Sequence, residues 1–599
     1  LAGGTLVTNT GQVFLNALNT AGDNTDSGGV KLAESNWDFQ SGVVSFDDAK
    51  YNLKYAKNAA DALKGEYVEQ ASSSPEKEIT FTGTLVELAP SNPDSTETLR
   101  SALLDVTRDS ITLGGDIVLD SRLQKSTPVS RSVNIDGGGH TLSGAHPGFW
   151  FTDMDSGTIS IQNIKFDGLR STSDDKYTSE HGANCGASIY FHMKDWKSQA
   201  ELLIGDGVVF QASESSYESP NSPGGAIRTA HGIVKIGNNV QFIGCKGGAG
   251  GALYSESFTT IGDNVLFKGN KSIRGGALTV VDDYIGYTTD PDYISGLRKV
   301  KYVHIGQNAR FENNVATSNI SGGDGGAIEV QSGQLKVDDG ATFLGNSSDF
   351  VGGAIALAFW IPQLASEATF GNVSFMKNTS VQGGGAIFNE GRLIFQGIAL
   401  FQENGISQGA GGAIYNNGSI MSYGNGNEFS KNTAIAGGAL LNNGQMTLTG
   451  VTSFTQNSAT AGGAVYNQNM LSIADAVFSG NTASEDGGAI YNDFGGTEEN
   501  PIPGDILFTG GASFVDNRAG GHGGAVYNVE KMTLSPGSGQ EILFRGNTDS
   551  TGANAVYMAT GSSLTVDGAG RVVFDDPLAF EDATPSLRKS GDGTLLLNA

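Results

Sequence analysis

The sequence predicts an all-β fold, a parallel β-helix solenoid with an N-terminal cap that contains one or two short helices. Three observations carry that expectation. Gly-Gly-Ala followed by Ile, Leu or Val occurs eleven times, Phe-x-x-Asn occurs ten times, and the two motifs alternate. Their period is fixed where they are densest: the starts at Gly411, Gly437, Gly462 and Gly487 lie 26, 25 and 25 residues apart. Between the motifs, apolar residues fall at strand spacing, as in Leu471-Ser-Ile473 ahead of Val477 and Phe478, with no helix-length apolar stripe. A period in this range means stacked supersecondary units.

Each part of the unit has a physical role. A coil of about 25 residues holds three short strands and three corners, and coils stack ~4.8 Å apart as parallel strands. Every residue then meets its own counterpart one coil on. The pairs Gly411 and Gly412, Gly437 and Gly438, Gly462 and Gly463 suit a corner where φ is positive or where backbones approach too closely for a Cβ. The Ala and the apolar residue after it turn inward. Phe429, Phe454 and Phe478 are expected to form an internal aromatic stack, each ring contributing roughly 1.5–3 kcal/mol by its burial. Asn432, Asn457 and Asn481 fall where the chain turns; Asn tolerates the left-handed conformation, and its amide can bond the amides above and below. All twelve are read as scaffold, not as chemistry.

Taken in order, residues 1–93 lack the repeat and read as a cap or extension, needed because an end coil exposes apolar core and strand edges. Within them, Tyr51, Tyr55, Ala59 and Leu63 at i, i+4 spacing predict an amphipathic helix from Phe46 to Leu63. Residues 94–142 form the start of the solenoid, with a short helix from Asp94 to Leu104 whose Asp94 and Glu97 have capping-box spacing. Strands follow at Ile111–Leu113, Ile117–Leu119 and Val133–Ile135. Residues 143–565 are the repeat region, and 566–599 are further coils. About 15 coils at ~4.8 Å make a rod of ~70 Å.

With 599 residues and 38% apolar content the chain can bury a long core, and its 87 glycines, locked to a period, indicate corners and not disorder. A net charge of −27 argues against a nucleic-acid or anionic-membrane partner. No apolar run of 18 residues occurs, so direct insertion in a membrane as a helix is not expected. The start at Leu1 shows no leader pattern, and the end at Leu595-Leu-Leu-Asn-Ala599 reads as mid-strand, so the natural protein is expected to continue. Cys185 and Cys245 fall at different corners by repeat counting and are expected to be free thiols.

Two resemblances add to this reading. Thr-Leu-Arg-Ser-Ala-Leu from Thr98, then Ile-Thr-Leu from Ile111, then Ile-Asp-Gly-Gly-Gly-His-Thr from Ile135, resembles the start of right-handed parallel β-helix proteins. The alternating Gly-Gly-Ala and Phe-x-x-Asn motifs, over roughly residues 111–557, resemble the repeat of the chlamydial polymorphic outer-membrane proteins, passengers of type V autotransporters. Leu587-Arg-Lys-Ser-Gly-Asp-Gly-Thr-Leu-Leu596 resembles a strand repeat common in such passengers. The resemblance implies export to the bacterial cell surface, at the outer membrane or secreted. It supplies no ligand.

Function is then expected where the repeat is broken. From the first Gly to the following Phe the regular gap is 16 to 18 residues, but it reaches 36 after Gly275, 27 after Gly487, 25 after Cys185 and 23 after Gly352. The added residues carry Trp196, the trio Tyr284, Tyr287 and Tyr293, the pair Phe359 and Trp360, and Phe494. Aromatics interleaved with acids along one edge suit recognition of a host or neighbouring-cell protein or glycan, with self-association a further possibility. The plainer reading is that these rings fold back onto the solenoid wall. The stretch from Gln211 to Pro223, Ser- and Glu-rich, reads as a surface loop.

No catalytic constellation is found. There is no GxSxG elbow, and the seven histidines (His140, His146, His181, His192, His231, His304 and His522) lack metal-ligand spacing. Asp282, Asp283, Asp290 and Asp292 could gather a Ca²⁺, yet such acids usually stay solvated. No cofactor or metal is expected. The alternative to an adhesin-like binder is a carbohydrate-active β-helix enzyme working in a groove on the insertion face.

Overall fold

The computed structural model describes residues 92–124, 128–171, 186–193, 197–215, 224–282, 301–317, 325–358, 366–497 and 500–598, together with strand positions within residues 1–91. The chain divides into two compact units, Leu1–Gly114 and Gly115–Ala599.

In the first unit the strands pair antiparallel: Thr5–Thr8 with Gly42–Ser45, and Leu15–Asn19 with Tyr51–Tyr55. Tyr51–Tyr55 therefore corrects that part of the amphipathic helix expected from Phe46 to Leu63, the rest of which lies outside the described residues. The same residues that mark one face of a helix at i, i+4 also mark one face of a strand at i, i+2, and five residues of alternating Tyr-Asn-Leu-Lys-Tyr satisfy both. The helix Thr96–Leu104 forms as expected, but its cap differs. Ser95 is the N-cap, its hydroxyl accepting from the Thr98 amide while Thr98 returns a bond to Ser95 N–H. Asp94 instead sits one residue before the cap, and Glu97 pairs with Arg100.

The second unit is a parallel β-helix. Seventeen strands, from Ile117–Leu119 to Thr594–Leu597, stack in one sheet carrying the phenylalanines. That exceeds the expected 15 coils, because the turns before Gly224 and after Asn547 keep the geometry while losing one or other motif. A second and third stack hold the strands that follow each Gly-Gly-Ala, as in Leu440–Asn442 and then Gln445–Leu448. The two run into one another in Ile227–Ile236 and Leu253–Ile261. One feature exceeds the expected three strands: a two-residue strand follows the Asn, as at Ser458–Ala459 paired with Thr482–Ala483.

Identical residues stack, coil on coil, in register: Phe401, Phe429, Phe454 and Phe478 are direct strand partners in turn. The ring column runs unbroken from Phe166 to Phe574, with successive centroids 4.4–5.0 Å apart. The strand spacing of ~4.8 Å dictates that distance, so parallel stacking is imposed by the backbone and not chosen by the rings. Phe454 and Phe478 are fully buried.

Beside the rings runs an asparagine ladder. The backbone N–H and the Nδ2 of Asn432 both donate to Oδ1 of Asn457, at 3.0 Å each, and Asn457 repeats this to Asn481. The second Nδ2 hydrogen of Asn432 reaches the Phe401 carbonyl at 3.0 Å. The ladder begins at Asn270, ends at Asn547, and is sealed from water throughout. One detail departs from expectation: the left-handed residue is not the Asn but its predecessor, with φ of 55° at Lys431 and Gln456 and 62° at Gly480. The turn must be made before the Asn, because its own backbone N–H has to point along the ladder.

The glycine corner divides its two requirements between its two residues. The first Gly takes a left-handed φ, 73° at Gly411, 61° at Gly437 and 62° at Gly462. The second has no room for a side chain: a Cβ on Gly412 would meet the carbonyl oxygen of Gly438, and one on Gly438 that of Gly463.

Candidate functional site

Three sets of side chains outside the core columns gather where chemistry or recognition could occur. All lie on or next to the strand that follows each Gly-Gly-Ala.

The first set is the corner after that strand. In a regular coil it is as short as Asn443-Gly444, between Leu440–Asn442 and Gln445–Leu448. Four coils extend it: after Ile189–His192, after Leu278–Val281, after Ile355–Ala358 and after Ile490–Asn492. Trp196, Tyr284, Tyr287, Tyr293, Phe359 and Trp360 lie outside the described residues, as do Asp283, Asp290, Asp292 and Cys185. Phe494 is described and is 41% exposed. Its N–H donates to Oδ1 of Asp493, its carbonyl accepts from Gln468, and it leads into the hairpin of Gly495–Thr497 with Asn500–Ile502.

The second set occupies the outward column of that strand in the N-terminal coils. Tyr190, Arg228 and Tyr254 are strand neighbours, and the Arg228 guanidinium carbon lies 5.5 Å and 5.9 Å from the two ring centroids. Glu256 stands 4.0 Å from Arg228 and accepts from the Tyr254 hydroxyl at 2.9 Å. Burial and the Glu256 charge push the Tyr254 phenol well above its usual value, the nearby Arg228 opposing them. Alongside, Tyr190 bonds His192 at 2.9 Å and Lys301 bonds His231 at 3.1 Å. Asp282 accepts from the Lys301 amide at 3.1 Å. Arg228, Lys301, Asp282 and Glu329 are all buried, so this is a closed polar cluster that holds charges of both signs. Sequence reading passed over it because its members are spread over several successive coils.

The third set continues the same outward column into the C-terminal coils. Tyr466, Tyr491, Tyr527 and Tyr557 stack in succession at 4.9, 4.8 and 5.2 Å. Their rings are half-buried, with their hydroxyl edges toward carboxylates: the Tyr466 hydroxyl donates to Asp493 at 2.6 Å. Inward, on the same strands, Asn389, Asn416, Asn442, Asn467, Asn492 and Asn528 form a second amide ladder, linked at 2.7–2.9 Å. Neither column was anticipated. The signal was present: Tyr lies four residues after the first Gly at Gly411, Gly462, Gly487 and Gly523, with Asn at the next position.

Comparison with known families finds a match that includes parts of these columns. Residues 372–390 and 475–493 each match the model of the Chlamydia polymorphic membrane protein repeat. The chain carries that repeat. Each matched stretch runs from a Phe-x-x-Asn through Gly-Gly-Ala to the second-ladder Asn, Phe375 to Asn389 and Phe478 to Asn492, so one polymorphic membrane protein repeat supplies both amide ladders and the ring column. Proteins with this repeat are outer-membrane or surface associated, which implies a surface-exposed autotransporter passenger. No curated protein and no solved structure matches the chain. Among the described residues no helix is long and apolar enough to cross a membrane, which leaves β-barrels untouched. Among the same residues no three His, Cys, Asp or Glu side chains are grouped to hold a metal.

Proposed function

We propose that this chain is an adhesin-like binding protein that recognises a protein or glycan of a host or neighbouring cell through segments inserted along one edge of its solenoid. The observation that supports the reading is positional. Four coils lengthen the corner after the Gly-Gly-Ala strand, leaving the core columns unbroken, while three others lengthen the connection before it, after Arg170–Ser171, Glu214–Ser215 and Val315–Ala316. In a parallel stack, equivalent corners lie above one another ~4.8 Å apart per coil, so residues added there emerge along a single line. The exposed Phe494 stands on that line.

The test replaces residues 283–300 with the Asn-Gly of a regular corner and measures binding to host cells and to a glycan panel. Each of the other three insertions is replaced in turn. A loss of tenfold or more for at least one variant, with unchanged circular dichroism and melting, is expected. Undiminished binding for all four would overturn the reading.

A further inference from the structure

The outward column after Gly-Gly-Ala behaves differently at its two ends. Up to Ala356 most of its members are closely covered, with Tyr190, Arg228, Thr279 and Glu329 all buried and Trp150 and Tyr254 half-buried. From Phe388 onward its rings are half-buried and face outward, apart from the buried Leu441. In the covered part an arginine is seated between two tyrosine rings beside a carboxylate. The open part offers rings and carboxylates and holds no arginine in its column.

The charged side chains that act on the open part are acids, and the His522 ring stacks on Tyr557 with centroids 4.5 Å apart. Asp493 and Asp486 act on Tyr491, Asp486 and Glu581 act on Tyr527, and Glu581 acts first among the charges on Tyr557. Burial is the main cause that pushes these phenols up, and every charged side chain that adds to it is an acid. Because the rings are stacked face to face, their faces are occupied by one another. What they offer is a ridge of edges and hydroxyl oxygens between carboxylates, which suits a planar cation with an apolar stem. A second copy of this chain, at a net charge of −27, is a poor occupant of such a surface.

We propose that the ridge of Tyr466, Tyr491, Tyr527 and Tyr557 docks an arginine-rich segment of a partner protein, with Asp486, Asp493 and Glu581 pairing its guanidinium groups. The site lies apart from three of the inserted segments and adjoins the fourth only at Asp493, the first residue after Ile490–Asn492.

The test uses the full chain and a labelled peptide of alternating Arg and Ser, with Lys-Ser and Glu-Ser peptides beside it. The expected result is binding of the Arg peptide more tightly than the Lys peptide, and none of the Glu peptide. The combined variant Asp486→Asn, Asp493→Asn, Glu581→Gln weakens the Arg peptide at least tenfold. A control that neutralises three acids elsewhere, Glu403→Gln, Glu428→Gln and Glu541→Gln, changes it less than twofold. Since the first variant also touches hydrogen bonds of the wall, amide exchange of the unaltered chain provides the second reading: the Arg peptide should protect residues 484–493 and 520–530. Equal weakening by the control, protection elsewhere, or no binding would each overturn the proposal. Binding that survives replacement of the segments inserted after Ile189–His192, Leu278–Val281 and Ile355–Ala358 is the result expected even if the adhesin reading fails.

Discussion

The backbone N–H and the side-chain Nδ2 of Asn547 both donate to Oδ2 of Asp576, at 2.8 Å each. This contact ends the longer amide ladder. Every Asn before it donates toward its C-terminal neighbour, so the amide dipoles add head to tail and their positive end falls at Asn547. An anion there is favoured for the same reason that it is favoured at a helix N-terminus. At the opposite end Cys245 N–H donates to Oδ1 of Asn270 at 2.9 Å, and an uncharged thiol occupies the place of the next amide.

Asp576→Ala leaves the Gly546 N–H and both Asn547 donors without acceptors in a buried site. A loss of about 1–3 kcal/mol for each unsatisfied group sets the scale, and urea unfolding should show a loss of several kcal/mol. Asp576→Asn keeps one acceptor for Asn547 and should lose clearly less. Equal effects from the two variants would remove the role given to the ladder's end.

Phe454→Ala opens a gap in a column whose rings above and below stand 5.0 and 4.7 Å away. Denaturant unfolding should show a cost of about 3–5 kcal/mol. Phe454→Leu, which keeps most of the volume, should cost less than half of that.

Much of this was legible in the sequence, and the reason is local. Phe454 and Asn457 meet their own copies in the next coil, so the residue best suited to the site recurs and betrays it. The same logic covers Gly437 and Gly438. It fails where a position tolerates variety: the left-handed turn is made by Lys431, Gln456 or Gly480, with no shared side chain to mark it. The tyrosine column is interrupted by Leu441, and the Arg228 cluster occurs once, so neither announces itself by repetition. Ser95 was missed as a cap because Asp94 beside it is an equally good candidate in composition, and only the backbone, extended at Ser95, decides between them.

Gly438→Ala should be severely destabilising, since its Cβ would be driven into the backbone of the adjoining coil at Gly463 and Ser458. Gly115→Ala, where a Cβ meets nothing within 4 Å, should leave melting unchanged. Thermal melts of the two single variants test the corner directly.

Burial pushes the Cys245 thiol up to about 12. In the unfolded chain the thiol ionises near 9, so below that pH it contributes nothing to the pH dependence. Between pH 9 and 12 the unfolded state holds fewer protons, and stability falls by up to about 1.4 kcal/mol per pH unit. Tyr254 and the half-buried Tyr527 act in the same direction, from about pH 10 upward. Urea unfolding at pH 8, 9 and 10 should therefore show a decline that Cys245→Ala reduces. In a Cys185→Ser background, Cys245 should resist thiol reagents until the chain unfolds.

Since the top of any coil complements the bottom of any other, the wall does not register how many turns it contains. Copying or losing one whole turn leaves every column continuous, whereas a single residue gained within a strand throws one column out of step. Inheritance can thus change this protein by complete turns or at the corners, while additions inside the strands are closed to it.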